Sequence, residues 1–378
     1  MGIPRISDEL CIEAVNLVAK HNGHRANAAR ELNIPRTTLV SRLERAAKRG
    51  LDGSIPKALP AGMLIKGTST LYDNDGNQVL QWVKTGNDLS VEDITAAVKA
   101  AFDEYKGCAK PIPAPKKTEA DLMSVYPIAD QHHGLLSWGK ETGENYDLEI
   151  GSKRLRDCAA KLIAQSPASK QALILNLGDW THQDDNKNMT PRSGNILDVD
   201  GRYFKVLTTG VQLMMDVIEL ALQKHQSVLV RNLPGNHDPH AAIALTVALA
   251  SFYAKNQRVT IDTDPSDLFF YRFGATLIGA NHGHKMRADR MAMSMATLRR
   301  KEWGETKYHW FLFGHIHHET VKEIGDCRVE SFQTLAAKDA HAASSGYNSG
   351  QSLSSITIHK EDGEIGRHRI NVPPPYMR

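Results

Sequence analysis

Residues 227–240 read SVLVRNLPGNHDPH. The opening SVLV is the β-branched, apolar composition of a buried strand. The chain then bends at Pro234, Gly235 and Pro239, and five positions of the stretch 231–240 are Asn232, Asn236, His237, Asp238 and His240. A strand that ends by placing ligand-capable side chains on a tight turn is how a sheet edge builds a site, because the strand holds the turn rigidly.

The same event recurs on both sides of this stretch. MSVYPIA (123–129) runs into Asp130-Gln131-His132, and ALILNL (172–177) into Gly178-Asp179. ATLIGA (275–280) runs into Asn281-His282-Gly283-His284, and HWFLF (309–313) into Gly314-His315-Ile316-His317. RVESFQ (328–333) is one further strand-like run. Helical patterns lie between these runs, at 150–165, 204–225, 239–256 and 286–301. Strands alternating with helices predict an α/β or α+β layered domain of some 250 residues, 121–378. Ten of the seventeen histidines stand at 132, 133, 182, 237, 240, 282, 284, 315, 317 and 318, beside these strand ends. Mixed Asp, His and Asn donors without a thiolate suit borderline-to-hard divalent cations such as Mn, Fe or Zn.

The ordered set D-x-H, GD, GNHD, H and GHxH resembles the calcineurin-like metallophosphoesterases, and all five motifs occur in order over some 190 residues. The resemblance implies a β-sandwich flanked by helices and two divalent cations, Mn first, with Fe, Zn or Mg as alternatives. Carried over by motif, Asp130, His132 and His317 hold one cation and Asp179 bridges the two. Asn236, His282 and His315 complete the second. His284 competes with His282, which is preferred as the residue nearer the strand end. His237 is implied as the general acid that protonates the leaving oxygen, with Asp238 orienting it. Two cations about 4 Å apart activate a bridging hydroxide as nucleophile and clamp the phosphorus centre for in-line attack. The long polar segment THQDDNKNMTPRSGNILDVDGRY (181–203) follows the bridging Asp and reads as a substrate-contact loop, with Lys187, Arg192 and Arg202 as phosphate-binding candidates, while His284 of the fourth motif is a separate candidate to line the site.

The first fifty residues read differently. SDELCIEAVNLVAKHNG (7–23), NAARELN (27–33) and TTLVSRLERAAKRG (37–50) form three helical patterns, with Ser7 as a cap and Gly50 as a stop. Short helix, tight turn and helix make a helix-turn-helix. Residues 21–50 carry seven Arg/Lys against two Glu, a footprint for DNA. The stretch AARELNIPRTTLVSRLERA resembles the factor-for-inversion-stimulation (Fis) type of helix-turn-helix, which makes Arg36, Thr37, Thr38, Ser41, Arg42 and Arg45 the groove-facing candidates.

Between the two parts, residues 51–107 predict a β-hairpin across an Asp-Gly turn (63–83) and an amphipathic helix (90–107). Trp82 and Tyr72 are more readily core residues than base-stacking ones. CAKPIPAPKKTEA (108–120) is a Pro- and Lys-rich linker. The chain has 378 residues, 24% charged and a formal net charge of +3, ordinary values that argue no partner by themselves. The N-terminus lacks an apolar signal region, and AAIALTVALASFYA (241–254) is too short to span a bilayer, so a cytoplasmic protein without membrane contact is expected. The four cysteines are far apart and read as free thiols.

A basic helix-turn-helix tethered to a phosphoesterase raises the local concentration of DNA. The expected function is therefore a DNA nuclease or end-processing enzyme, similar to the Mre11/SbcD-type branch and, in overall organisation, to bacteriophage-encoded relatives; a homodimer is among its expected states. The alternatives are a nucleotide or phosphoprotein phosphatase with a docking N-terminal module, and a DNA-binding regulator whose phosphoesterase fold senses a ligand.

Overall fold

The computed structural model describes residues 6–53, 63–72, 78–87 and 107–373. The chain divides into two compact units, residues 1–96 and 97–378.

The first unit opens with three helices, α1 (Asp8–Lys20), α2 (Arg25–Glu31) and α3 (Arg36–Arg49). The expected punctuation is in place. The Ser7 hydroxyl accepts from the Leu10 N–H, and Gly50 closes α3 in the left-handed conformation that spares glycine a Cβ clash. Ala14, Ala28, Ala29 and Leu39 form the small core, and small side chains there let the helices approach closely. Arg49 is buried at the end of α3, and its guanidinium grips Asp8 at the start of α1 at 2.9–3.3 Å. β1 (Met63–Tyr72) and β2 (Gln78–Asn87) then pair antiparallel, as the hairpin pattern predicts. Trp82 is 57% exposed, which goes against a core role for its ring. The DNDGN turn lies outside the described residues, as does nearly all of the helix expected at 90–107.

The second unit is a sandwich. Six strands order as β13-β12-β3-β4-β5-β6, and five as β10-β11-β9-β8-β7. β3 (Glu119–Ile128), β4 (Ser169–Asn176), β5 (Ser227–Asn232) and β6 (Val259–Asp262) run parallel. In the second sheet β8 (Thr276–Asn281), β9 (Tyr308–Phe313) and β11 (Cys327–Ser331) run parallel, while β7 (Phe269–Phe273) and β10 (Thr320–Ile324) flank them antiparallel. Period-two alternation divides each strand between two cores. Val125, Leu173 and Leu175 point between the sheets to meet Ile278, Trp310 and Leu312. Tyr126, Ala172, Ile174 and Val230 point outward against helices α4 (Leu148–Gln165), α5 (Tyr203–Lys224) and α6 (Ala241–Phe252). On the far side, α7 (Ala288–Leu298) packs Met291 and Met295 against Leu277 and Phe311. The expected layered α/β sandwich flanked by helices is the observed one.

The structure departs from expectation in several places. The 286–301 pattern is interrupted at Arg299, which leaves α7 and a short turn of helix, Arg300–Gly304. Residues after 333, which gave no strand signal, form β12 (Gln351–His359) and β13 (Gly363–Val372), and β12 pairs with β3 inside the larger sheet. The stretch expected as a linker runs along the second unit: Ala109 and Ile112 pack on its helical core, and Arg258 donates to the Ile112 carbonyl. Among the described residues one helix, α5, is long and apolar enough to cross a bilayer by length and composition; its buried face, from Val206 to Leu222, covers the six-stranded sheet. Cys11, Cys158 and Cys327 are buried free thiols, and Cys108 is exposed.

Candidate metal centre

β3, β4 and β5 are parallel neighbours in one sheet, and β8 and β9 are parallel neighbours in the other. Their C-terminal ends therefore deliver the five motif loops to one edge of the sandwich. Two side-chain clusters result. Asp130, His132 and His317 place their donor atoms within 4.8 Å of one another, and so do Asp179, His282 and His315. His317 Nε2 is 3.5 Å from Asp130 Oδ1 and 3.1 Å from His132 Nε2. In the second cluster, His282 Nε2 lies 3.1 Å from Asp179 Oδ2 and 3.0 Å from Asn236 Oδ1. Asp179 Oδ2 also stands 4.0 Å from His132 Nε2, so its carboxylate sits between the clusters.

The backbone is bent to make this possible. Asp130, His132, Asp179, His315 and His317 all have positive φ, between 44° and 68°. Among the described residues, the other non-glycine positions with positive φ are Asn22, Asn33 and Asn188, a residue type that tolerates it. Gly235 makes room: a Cβ there would meet Asp179 Oδ1 at 1.9 Å.

Charge fits a cationic occupant. Asp130, Asp179 and Asp238 are buried together, and no Lys or Arg reaches them among the described residues. Burial, then the neighbouring imidazoles, hold His132 and His182 well below the ordinary histidine range, so both are neutral donors. Burial opposes a charge on His282, yet Asp179 and then Asp130 outweigh it and push it up to about 10. Burial likewise opposes the Asp179 anion, but His282 and His237 hold it well below the usual carboxylate range. A positive charge is thus favoured between Asp179 and Asn236, where a divalent cation would find carboxylate, imidazole and amide oxygen donors.

His237 is half-buried, and its ring centroid lies 4.7 Å from that of His132. Asp238, expected to orient it, accepts from the backbone N–H groups of Asp179, Trp180, Thr181 and Gly235, at 2.7–3.3 Å. It staples the GD loop to the GNHD loop. His237 Nδ1 instead faces the His182 carbonyl at 2.9 Å, and the His182 ring stacks on it at 5.2 Å. His182 is the residue that motif matching passed over. It groups with His132 and His237, and its signal was its position three residues past Asp179.

The remaining histidines sort by their partners. His284 stands 5.2 Å from the His282 ring and outside both clusters, which favours His282 as the donor. His133 bonds Thr209 of α5, and His240 bonds Asp184. Asp184 also accepts from the backbone N–H groups of His240 and Ala241, which caps α6.

The 181–203 segment is ordered by pairing. Leu135 bridges to Val199, Met189 to Ile196, and the Asp200 N–H donates to the Gly134 carbonyl at 2.8 Å. Arg192 and Arg202 are exposed on it, and Lys187 lies 3.5 Å from Asp185.

In the first unit, Arg36, Thr37 and Ser41 are exposed on α3 and Thr38 is half-buried. The two other candidates have partners within the unit. Arg42 is 12% exposed and reaches Glu13 at 3.4 Å, while Arg45 donates to the Ile6 carbonyl at 2.9 Å. Both lie on the stripe that carries Leu39 and Ala46 toward α1, since residues three and four apart share a helix face.

Residues 17–45 match the family model described as bacterial regulatory protein, Fis family. No curated protein matches the chain. Solved structures similar to it include an archaeal phosphodiesterase, at 12% identity and a TM-score of 0.35, covering 66% of this chain and 100% of that one. Vps29 of Entamoeba histolytica with zinc is similar at 13% identity and a TM-score of 0.28, covering 66% of this chain and 99% of that one. A Streptococcus pneumoniae protein described as a predicted phosphoesterase follows at 10% identity and a TM-score of 0.27, covering 67% and 100%. At such values the likeness says nothing of activity.

Proposed function

We propose that this chain is a binuclear metal-dependent phosphodiesterase acting on DNA. The observation that carries the reading is the pair of clusters, Asp130/His132/His317 and Asp179/His282/His315, meeting at the Asp179 carboxylate with Asn236 beside them. Neutral His and Asn donors leave such a site with net positive charge, which an anionic phosphate needs. When bound, the two cations supply Lewis-acid polarisation and an activated water near neutral pH.

The chain's own residues supply the rest. His237 projects beside His132, and its Nδ1–H donates to the His182 carbonyl, so Nε2 is the ring nitrogen left to face a leaving alkoxide, which the imidazolium form would protonate, leaving the neutral Nδ1–H tautomer. Asp238 holds the loops that carry Asp179 and His237 in register. DNA is favoured over a nucleotide or a phosphoprotein by the Fis-type match over residues 17–45 and by the exposed Arg36, Thr37 and Ser41 on α3.

The test is Mn-dependent hydrolysis by the full chain of linear duplex DNA, single-stranded DNA and bis-p-nitrophenyl phosphate, beside His237→Ala. Cleavage of DNA and of the small diester, both lowered roughly 100-fold or more in His237→Ala, is expected. Hydrolysis of the small diester alone would remove DNA as substrate and leave the first unit a docking or regulatory role. No hydrolysis of either would sink the enzyme reading.

A further inference from the structure

Three exposed aromatic side chains stand out in the second unit, and all three sit on segments tied to the motif loops. Trp138 is 61% exposed, six residues past His132, a chain span of at most about 21 Å. Phe204 is 80% exposed where the 181–203 segment enters α5, just beyond the Asp200–Gly134 hydrogen bond. Tyr347 is 66% exposed, two residues before Ser349, whose hydroxyl donates to the His317 carbonyl at 2.9 Å. Ser137, next to Trp138, donates to the Lys338 carbonyl, which joins the first and third of these segments. Ile196, 86% exposed on the hairpin opposite Met189, adds an apolar surface.

Such exposure has a thermodynamic cost in water, and the three segments that carry it are joined to one another and to the motif loops by the hydrogen bonds above. The charges beside them narrow the occupant. Arg192 and Arg202 are exposed on the same 181–203 segment and make no ion pair among the described residues, whereas its Asp184, Asp185 and Asp200 stand against His240, Lys187 and Lys205. Rings interleaved with guanidinium groups are how proteins hold an unpaired polynucleotide: each base has a face to stack, and each linkage carries an anion. A paired duplex offers stacking faces only at its ends. A protein partner would leave the two arginines to find acidic side chains by chance of sequence.

We infer that Trp138, Phe204, Tyr347 and Ile196, with Arg192 and Arg202, form a lip that grips an unpaired strand and feeds its phosphodiester to the metal centre. This rests on the phosphodiesterase reading above and makes its substrate a single strand or a frayed end. The rings hold bases on either side of the scissile linkage, and the arginines hold the backbone.

The test is fluorescence polarisation of a labelled oligothymidylate with the full chain in EDTA, followed by turnover with Mn. Trp138→Ala and Phe204→Ala are each expected to weaken binding roughly ten-fold. Trp138→Phe and Phe204→Tyr are expected to restore most of it, and Trp138→Leu is not. The ratio of oligonucleotide to bis-p-nitrophenyl phosphate turnover should fall with the alanine variants by a similar factor. Unchanged affinity and ratio would overturn the inference. So would rescue by Trp138→Leu, which would mean apolar contact without stacking. A dimer that Phe204→Ala converts to monomer, with oligonucleotide binding intact, would assign the surface to a second copy instead. Hydrolysis of the small diester with no polynucleotide bound or cut would mark failure of the DNA reading itself. Failure of the lip alone would leave wild-type DNA cleavage intact.

Discussion

Five of the candidate ligands share a backbone conformation that costs a non-glycine residue on the order of 1–2 kcal/mol. Strain of this kind persists only where the surroundings over-determine it, and here the hydrogen bonds do so. Asp130 accepts the His315 N–H with both oxygens, His132 donates its N–H to the Asp179 carbonyl, and Asp179 accepts the His237 N–H. Each ligand loop is thus held by another ligand loop. The tightest point is Gly235, whose Cα hydrogen faces Asp179. Gly235→Ala is expected to push the Asp179 carboxylate out of place and lower metal-dependent turnover 100-fold or more, while Gly304→Ala, with open space around it, leaves turnover unchanged. Metal titration by calorimetry beside the kinetics checks the cause. Wild-type metal affinity and turnover in Gly235→Ala would show that the loop can yield without consequence.

At the scale of elements, strand ends built the site and helices braced the sheet behind it. His225 follows the last turn of α5 and is fully buried between strands: its Nε2 meets the Tyr126 hydroxyl of β3, and its Nδ1 the Ser169 hydroxyl of β4, both at 2.8 Å. Burial pushes its pKa down to about 4. The sign follows from linkage. An unfolded histidine, with an ordinary value near 6.5, takes up a proton that the folded one refuses, so stability falls as pH drops from about 6.5 to 4. The loss amounts to about 3 kcal/mol at full extent. Urea unfolding of wild type and His225→Gln at pH 7 and pH 4.5 checks it. The variant is expected to be the less stable at pH 7, and the gap to narrow markedly at pH 4.5. A gap independent of pH would remove the titration argument.

What the sequence disclosed follows the same division. The parallel core strands were legible because each is an apolar run that ends abruptly in Gly, Asp, Asn or His. β12 and β13 were not, because the Ser-rich opening of QSLSSITIH (351–359) and a charged edge strand carry no such contrast. The ligand residues were legible by motif. The partner of His237 was not, because a backbone carbonyl has no residue type, and neither were the inward turns of Arg42 and Arg45, because a helical stripe reads as basic until the facing helix is known.

For the whole molecule the question is what the Fis-type unit adds to the proposed phosphodiesterase. The first unit carries the Fis-type match and exposes Arg36, Thr37 and Ser41 on α3. Whatever the arrangement of the two units, covalent attachment turns the second encounter with DNA into an intramolecular one and so raises its effective concentration. That advantage applies to polynucleotides and not to a small diester, which has nothing for the first unit to hold. Its electrostatic part must also weaken with salt, since phosphate contacts release counterions. Removal of residues 1–53 is therefore expected to lower kcat/KM on DNA ten-fold or more at low salt, and progressively less as salt rises, with bis-p-nitrophenyl phosphate hydrolysis unchanged. Arg36→Ala in the full chain should reduce the salt slope of duplex binding by about one without altering small-diester turnover. An equal loss on both substrates would mean that the first unit supports the fold of the second. No loss on either would mean that DNA reaches the metal centre without it, and that the helix-turn-helix serves to place the protein on its target and takes no part in turnover.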